Sequence, residues 1–253
     1  MLPVDDLGEP VAVDQPQRVV SLVPSITEAV VVSVPASLVG ATDYCTHPSD
    51  LDVQRVGGSK YPDVDKVMSL HPDLVIANSE ENRAEDVDRL RANGIQVWVT
   101  EAPATVPMAL KSLRRFFAMA WDLEPDWLTQ AEDLWRETKP RKLTALIPVW
   151  RRPWVVVGRA TFATDVLRRL GIENVYAEDA ERYPRPTLQE LNDKRPDLVI
   201  LPDEPYVFTH DDGPESFPGL PYALVNGRHL TWYGPSLVEA RASLERALDY
   251  GQG

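Results

Sequence analysis

His71–Glu81 reads HPDLVIANSEE, and Arg195–Pro205 reads RPDLVILPDEP. In each copy a Pro that cannot extend a helix precedes an acidic residue and a short branched apolar run, the pattern of a buried strand. The flanks match as well. Lys60-Tyr61-Pro62 leads a helical segment before the first copy, and Arg182-Tyr183-Pro184 leads one before the second. Ser79-Glu80-Glu81-Asn82 follows the first, and Pro202-Asp203-Glu204-Pro205 the second. The repeat predicts two similar α/β lobes; a single continuous sheet is the alternative.

Working outward, RVVSLV (Arg18–Val23) reads as a buried strand, and PSITEAVVVSV as a helix capped by Ser25 or Thr27, with Glu28 three residues after Ser25 as in a capping box. LVGATDY (Leu38–Tyr44) reads as a strand and DVDKVMSLH (Asp63–His71) as a helix. AEDVDRLRANG is a helix closed by Asn93-Gly94, and IQVWVT a further strand. This alternation implies mainly parallel sheets with covering helices. VPMALKSLRRFFAMAWDL and DWLTQAEDLWRETK read as two consecutive helices broken at Glu124-Pro125. The strands LTALIPVW and PWVVVG, the helices FATDVLRRLG and TLQELNDK, and DLVIL complete the second pattern. ALVNGRHLTW reads as a last strand with a turn at Asn226-Gly227, followed by the helix SLVEARASLERALDY. The expected organisation is an N-terminal lobe over 1–123, a connecting helix over 124–140 and a C-terminal lobe over 141–253.

The net charge of −13 disfavours nucleic acid as a partner, because the phosphate backbone repels such a surface. No apolar run has the roughly 18 residues of a membrane span. The first residues, MLPVDDLGEPVAVDQPQ, lack the basic start and apolar core of a secretory leader. A cytoplasmic protein is therefore expected, with an exported one supplied without its leader as the alternative. The single Cys45 excludes an intrachain disulfide and reads as structural.

Ligands of parallel α/β sheets collect beyond the carboxyl ends of the strands. That rule selects Pro24, Ser25 and Ile26; His47; Glu80 and Glu81; Trp150, Arg151 and Arg152; Glu204 and Tyr206; and Trp232. A cleft so lined suits a large, partly apolar ligand with hydrogen-bonding edges. Trp150 and Trp154 could equally be core, and Arg151 and Arg152 could simply pair with Glu80 and Glu81. An enzyme using Glu80, Glu81, Asp203 or Glu204 as acid and base is the alternative from another class. The sequence has neither G-x-S-x-G nor a phosphate-binding G-x-x-x-x-G-K-[ST], and its four His show no metal-ligand spacing. No metal site and no required cofactor are expected.

The ordered series QRVVSLVPSITEAV, LVGATDYCTHP, VGGSKYPDVDKVMSLHPDLVIANSEENR and GIQVWVT resembles the class III periplasmic-binding-protein fold. More narrowly it resembles the helical-backbone metal receptors, the cobalamin- and iron-siderophore-binding proteins of ABC importers, here as an apparently signal-less member. The resemblance implies a non-catalytic, monomeric receptor holding its ligand between two lobes. Cobalamin is the first ligand, an iron–siderophore or haem the second, and an ABC permease the possible partner. Carried over by position, the ligand contacts are Pro24, Ser25, Ile26, Tyr44, Lys60, Tyr61, Trp150 and Tyr183. Asp65 matches the first permease-docking carboxylate. Gln189 stands at the second, with Glu190 beside it. The connecting helix, about 14 residues or roughly 21 Å, is short for that family.

Overall fold

Two separate parallel sheets organise the chain in the computed structural model, which describes residues 2–250. One unit comprises residues 1–102 and 110–129, the other 103–109 and 130–253.

The first unit contains β1 (Val19–Ser21), α1 (Pro24–Ser33), β2 (Leu38–Ala41), β3 (Gln54–Arg55), α2 (Val64–Ser69), β4 (Leu74–Asn78), α3 (Ala84–Ala92) and β5 (Val97–Thr100). Its strands are all parallel, in the order β3-β2-β1-β4-β5. Val20, Leu22, Val75, Ala77, Val97 and Val99 pack into one core with Val67 of α2 and Leu90 of α3. Two helices then follow, α4 (Val106–Trp121) and α5 (Asp126–Trp135), and each runs from one unit into the other. Phe116, Phe117 and Trp121 of α4 form an aromatic cluster with Trp98 and Trp127.

The second unit contains β6 (Leu143–Leu146), β7 (Pro148–Trp150), β8 (Val155–Val156), α6 (Phe162–Arg169), β9 (Ile172–Asn174), α7 (Leu188–Asp193), β10 (Leu198–Pro202), β11 (Tyr222–Val225), α8 (Gly227–Thr231) and α9 (Leu237–Tyr250). A parallel sheet of order β11-β10-β6-β9 is accompanied by the antiparallel hairpin β7-β8. Leu146, Val199, Leu201, Phe208 and Phe217 form its core.

Each copy of PDLVI leads into a wholly buried strand flanked on both sides, β4 or β10, and the residues before the strand do the same work twice. His71 (φ 47°) and Arg195 (φ 44°) each end a helix in the left-handed region, where Pro then stops it. The next residue is the acid. Asp73 Oδ2 accepts the N–H groups of Gln17 and Arg18 at 2.9 Å each, at the start of β1. Asp197 Oδ2 accepts Thr144 N–H at 2.7 Å and its hydroxyl at 2.8 Å, inside β6. The repeat thus anchors the beginning of the neighbouring strand in each sheet.

Four local readings are corrected. Ser25 does not cap α1: Pro24 takes the first helical position, where its missing N–H is no loss, so the cap falls on Val23. LTALIPVW is two strands, because Pro148 cannot donate to the ladder and β7 turns to pair with β8. The second of the two long helices ends at Trp135, ten residues in all, before reaching Arg136–Lys139. ALVNGRHLTW is not one strand: β11 stops at Val225, and Asn226 caps α8 by accepting His229 N–H at 3.0 Å. The short strands β3 and β9 were not legible in the sequence.

Candidate functional site

In the first unit the chain reverses direction of winding at β1, between β2 and β4, which is where open parallel sheets form a ligand crevice. The loop after β4 is a closed hydrogen-bonded turn. Asn78 Oδ1 accepts the N–H groups of Glu80 (2.9 Å) and Glu81 (3.3 Å), while Asn82 Oδ1 accepts Asn78 N–H at 2.7 Å. Buried Asn82 also donates through Nδ2 to Leu22 O at 3.3 Å and Ser59 O at 2.8 Å. One amide therefore ties the ends of β1 and β4 to the loop after β3. Glu80 and Glu81 are half-buried on this turn. Burial, with the neighbouring Glu80 charge adding, pushes the Glu81 carboxyl up to about 7.

Around this turn the rings stand out. Tyr61 is 70% exposed with the Arg83 guanidinium 4.8 Å from its centroid, and Tyr44 is 64% exposed beside Gly58. Arg83 is held by Asp86 (2.8 Å) and Glu85 (2.7 Å). Arg55 donates to the carbonyls of Thr42, Cys45 and Leu51 and so fixes the loop that carries Tyr44. Cys45 is buried between Thr27 and Thr42, and burial pushes its thiol up, which is a structural setting. His47 is half-buried with Nδ1 3.1 Å from Thr46 Oγ1, and Lys60 is exposed. Pro24 is half-buried, while Ser25 and Ile26 are buried.

In the second unit Trp150, 44% exposed, meets Tyr206 edge-on at 5.7 Å. The Tyr206 hydroxyl donates to Asp212 Oδ2 at 2.5 Å, and that bond raises its pKa. Arg151 is a framework residue: it pairs with Asp212 and with Glu215 (2.7 Å) and lies 5.3 Å over the Trp154 ring. Arg152 is exposed. Trp154 is half-buried against Phe208 and Phe217 and belongs to the core. Glu204 is half-buried with Oε1 unpartnered; burial, reinforced by Asp203, raises its pKa. Gly227 makes this possible, because a Cβ there would lie 2.5 Å from Glu204 Cγ and 2.6 Å from Glu204 O. Tyr183 is 40% exposed on the loop beside β8. Trp232 is corrected: it follows α8, not a strand, and is only 8% exposed.

Asp65 is exposed in the first turn of α2 and paired with Arg89 at 2.6 Å. Glu190 is occupied by a capping box, accepting Thr187 N–H at 2.7 Å and its hydroxyl at 2.8 Å, and the backbone bond first of all lowers its pKa. Gln189 is exposed. Sequence reasoning missed Asn78, Asn82, Arg55, Asp212 and Glu215. Only Asn78 and Asn82 carried a local signal, their spacing around Ser79-Glu80-Glu81.

The model of the family described as Periplasmic binding protein matches residues 19–134. The periplasmic vitamin B12 binding protein of Vibrio cholerae superposes with a TM-score of 0.73 at 16% identity, over 94% of this chain and 99% of that one. This chain has the class III periplasmic-binding-protein fold. A periplasmic heme-binding protein from Roseiflexus sp. RS-1 superposes with a TM-score of 0.74 at 19% identity, over 94% and 99% of the two chains. Among curated sequences, the vitamin B12-binding protein of Vibrio cholerae serotype O1 is 21% identical over 192 residues, 73% of this chain and 70% of its own length. The two α/β units with mainly parallel sheets match this architecture.

Proposed function

We propose that this chain is a non-catalytic binding protein for a large chelate or tetrapyrrole-like ligand, with cobalamin the first choice. The observation that carries the reading is the set of exposed rings on a hydrogen-bonded frame: Tyr44 and Tyr61 on loops tied by Arg55 and Asn82, Trp150 at the end of β7, and Tyr183 on the loop bonded to β8. Exposed aromatic rings on a rigid frame offer a broad apolar ligand contact at low entropic cost. Pro24, Ser25, Ile26, His47, Lys60, Glu80 and Glu81 in the first unit, and Arg151, Arg152, Glu204 and Tyr206 in the second, complete the proposed contact set. Within it Arg151 acts by positioning the Tyr206–Asp212 pair. Relatives named as vitamin B12-binding support the ligand class.

Haem or an iron–siderophore is the second reading, favoured by solved neighbours named as heme-binding and by the exposed Arg152, a donor suited to carboxylates. The neighbours named periplasmic support export over the cytoplasmic expectation. No helix among the described residues is long and apolar enough to cross a membrane. Docking to an ABC permease through Asp65 belongs to the same proposal. At the second position, Glu190 is already engaged by Thr187.

The test is a titration of the purified chain with cobalamin, haem and a panel of ferric siderophores, followed by tryptophan fluorescence and calorimetry. Saturable one-to-one binding of one of them at micromolar or tighter affinity is expected. No binding to any of them would remove the proposed function and leave the fold.

A further inference from the structure

A cavity of about 710 Å³ lies wholly within the second unit, between the turn that follows β9 and the helix α7. It shares no lining residue with the proposed chelate contacts. Asn174, at the end of β9, builds the turn. Its buried side chain donates to Val157 O and Thr164 Oγ1 at 2.9 Å each, and accepts Tyr176 N–H at 2.9 Å. The Tyr176 ring packs in the core with Leu146, Val156 and Leu191. The residue is only 5% exposed, what remains accessible lines the cavity, and its hydroxyl makes no hydrogen bond. A buried phenol normally finds a partner, so this one marks the place of a missing group.

Four carboxylates surround the same space: Asp179, Glu181, Glu190 and Asp193. None of them forms an ion pair among the described residues, although Lys194 and Arg185 also line the cavity. Asp179 Oδ1 accepts Glu181 N–H at 2.9 Å, and Glu190 Oε2 accepts both Thr187 donors. The second oxygen of each is left without a bond. Burial first, then the charges of Glu190 and Asp179, raise the pKa of the Tyr176 hydroxyl, so both carboxylates act at that point. Lys194 places its ammonium 4.7 Å from the Tyr176 ring centroid, which shows that the ring face takes an alkylammonium. The carboxylates do not converge on one centre: no group of three or more His, Cys, Asp or Glu among the described residues could hold a metal ion. Separated acids above an aromatic floor match a cation whose charges are spread along a chain.

We propose that this cavity binds a linear aliphatic polyamine. One ammonium donates to the Tyr176 hydroxyl and to the unbonded oxygens of Asp179 and Glu190. A second reaches Asp193 or Glu181, with the methylene chain along Pro184 and Pro186. Lys194 is the resident competitor for the ring face. The site stands or falls independently of the chelate reading.

Calorimetric titration of the full chain with spermidine, at about pH 7.5 in about 0.05 M NaCl, tests this. Saturable one-to-one binding at sub-millimolar affinity is expected, and equimolar Mg²⁺ should not displace it. Asp179→Asn/Asp193→Asn, which keeps the Oδ1 that accepts Glu181 N–H, should weaken binding about fivefold or more. Tyr176→Phe removes only the hydroxyl and should weaken it about threefold. Lys194→Met removes a like charge and frees the ring face, so binding should tighten. Asp88→Asn, exposed on α3 of the first unit, should change nothing. No saturable binding, displacement by equimolar Mg²⁺, or weaker binding by Lys194→Met overturns the site. So does an equal effect of Asp88→Asn and the cavity variants, because that marks general attraction of a polycation to a chain of net charge −13. Unchanged affinity in both Tyr176→Phe and the double Asp variant overturns it as well.

Discussion

The two PDLVI segments begin alike and end differently. Each starts with a left-handed residue, a Pro and an Asp that anchors the next strand. At its last residue the first strand has Asn78 and the second Pro202. Asn78 accepts two backbone N–H groups and builds a closed turn under Glu80 and Glu81. Pro202 has no side-chain acceptor. There the order comes from elsewhere: Asp203 Oδ1 accepts Gly227 N–H at 2.7 Å, and Glu204 packs on the bare face of Gly227. The same strand therefore presents its carboxylates by a local device in one unit and by a tertiary one in the other.

The largest effect is expected at the tertiary device. Gly227→Ala drives a Cβ against Glu204 backbone atoms at 2.6 and 2.9 Å, and the overpacking costs about 3 kcal/mol. Urea denaturation checks this; a change within experimental error would show that the second loop is not held by that contact. Asn82→Ala follows, at about 2 kcal/mol, because it leaves Asn78 N–H, Leu22 O and Ser59 O without their partner. If it proved harmless, the first loop would not owe its order to the turn.

Smaller still is Glu81→Gln, which sharpens the comparison through pH. A carboxyl raised from 4.5 to about 7 favours the folded state when protonated, so its contribution is intact below about pH 4.5 and lost as pH rises through 7. The variant should be more stable than wild type at pH 8 and no better at pH 4.5. The shift corresponds to at most about 3 kcal/mol, of which solvent at a half-exposed group leaves roughly 1. Melting curves at the two pH values read it, and an equal gain at both would refute the assigned cause.

What was legible in the sequence follows the same local–tertiary division. The repeat showed its strands because Pro, Asp and a branched apolar run act within a few residues. The first-strand loop was legible for the same reason, although Pro24 moved the cap off Ser25. The partners of Arg151 were not legible, because Asp212 and Glu215 lie some 60 residues on in the sequence. Trp232 was misread because Asn226-Gly227 served as a helix cap and not a hairpin turn. β3 is two residues long, too short for any periodicity.

The central claim is the proposal that the chain binds a corrinoid through exposed aromatic rings on an ordered frame. Its most direct test is calorimetric titration of wild type, Tyr61→Ala and Trp150→Ala with cobalamin, one ring from each unit. The account predicts one-to-one binding by the wild type and a loss of about 1 kcal/mol in each variant. Unchanged affinity in both variants would contradict it.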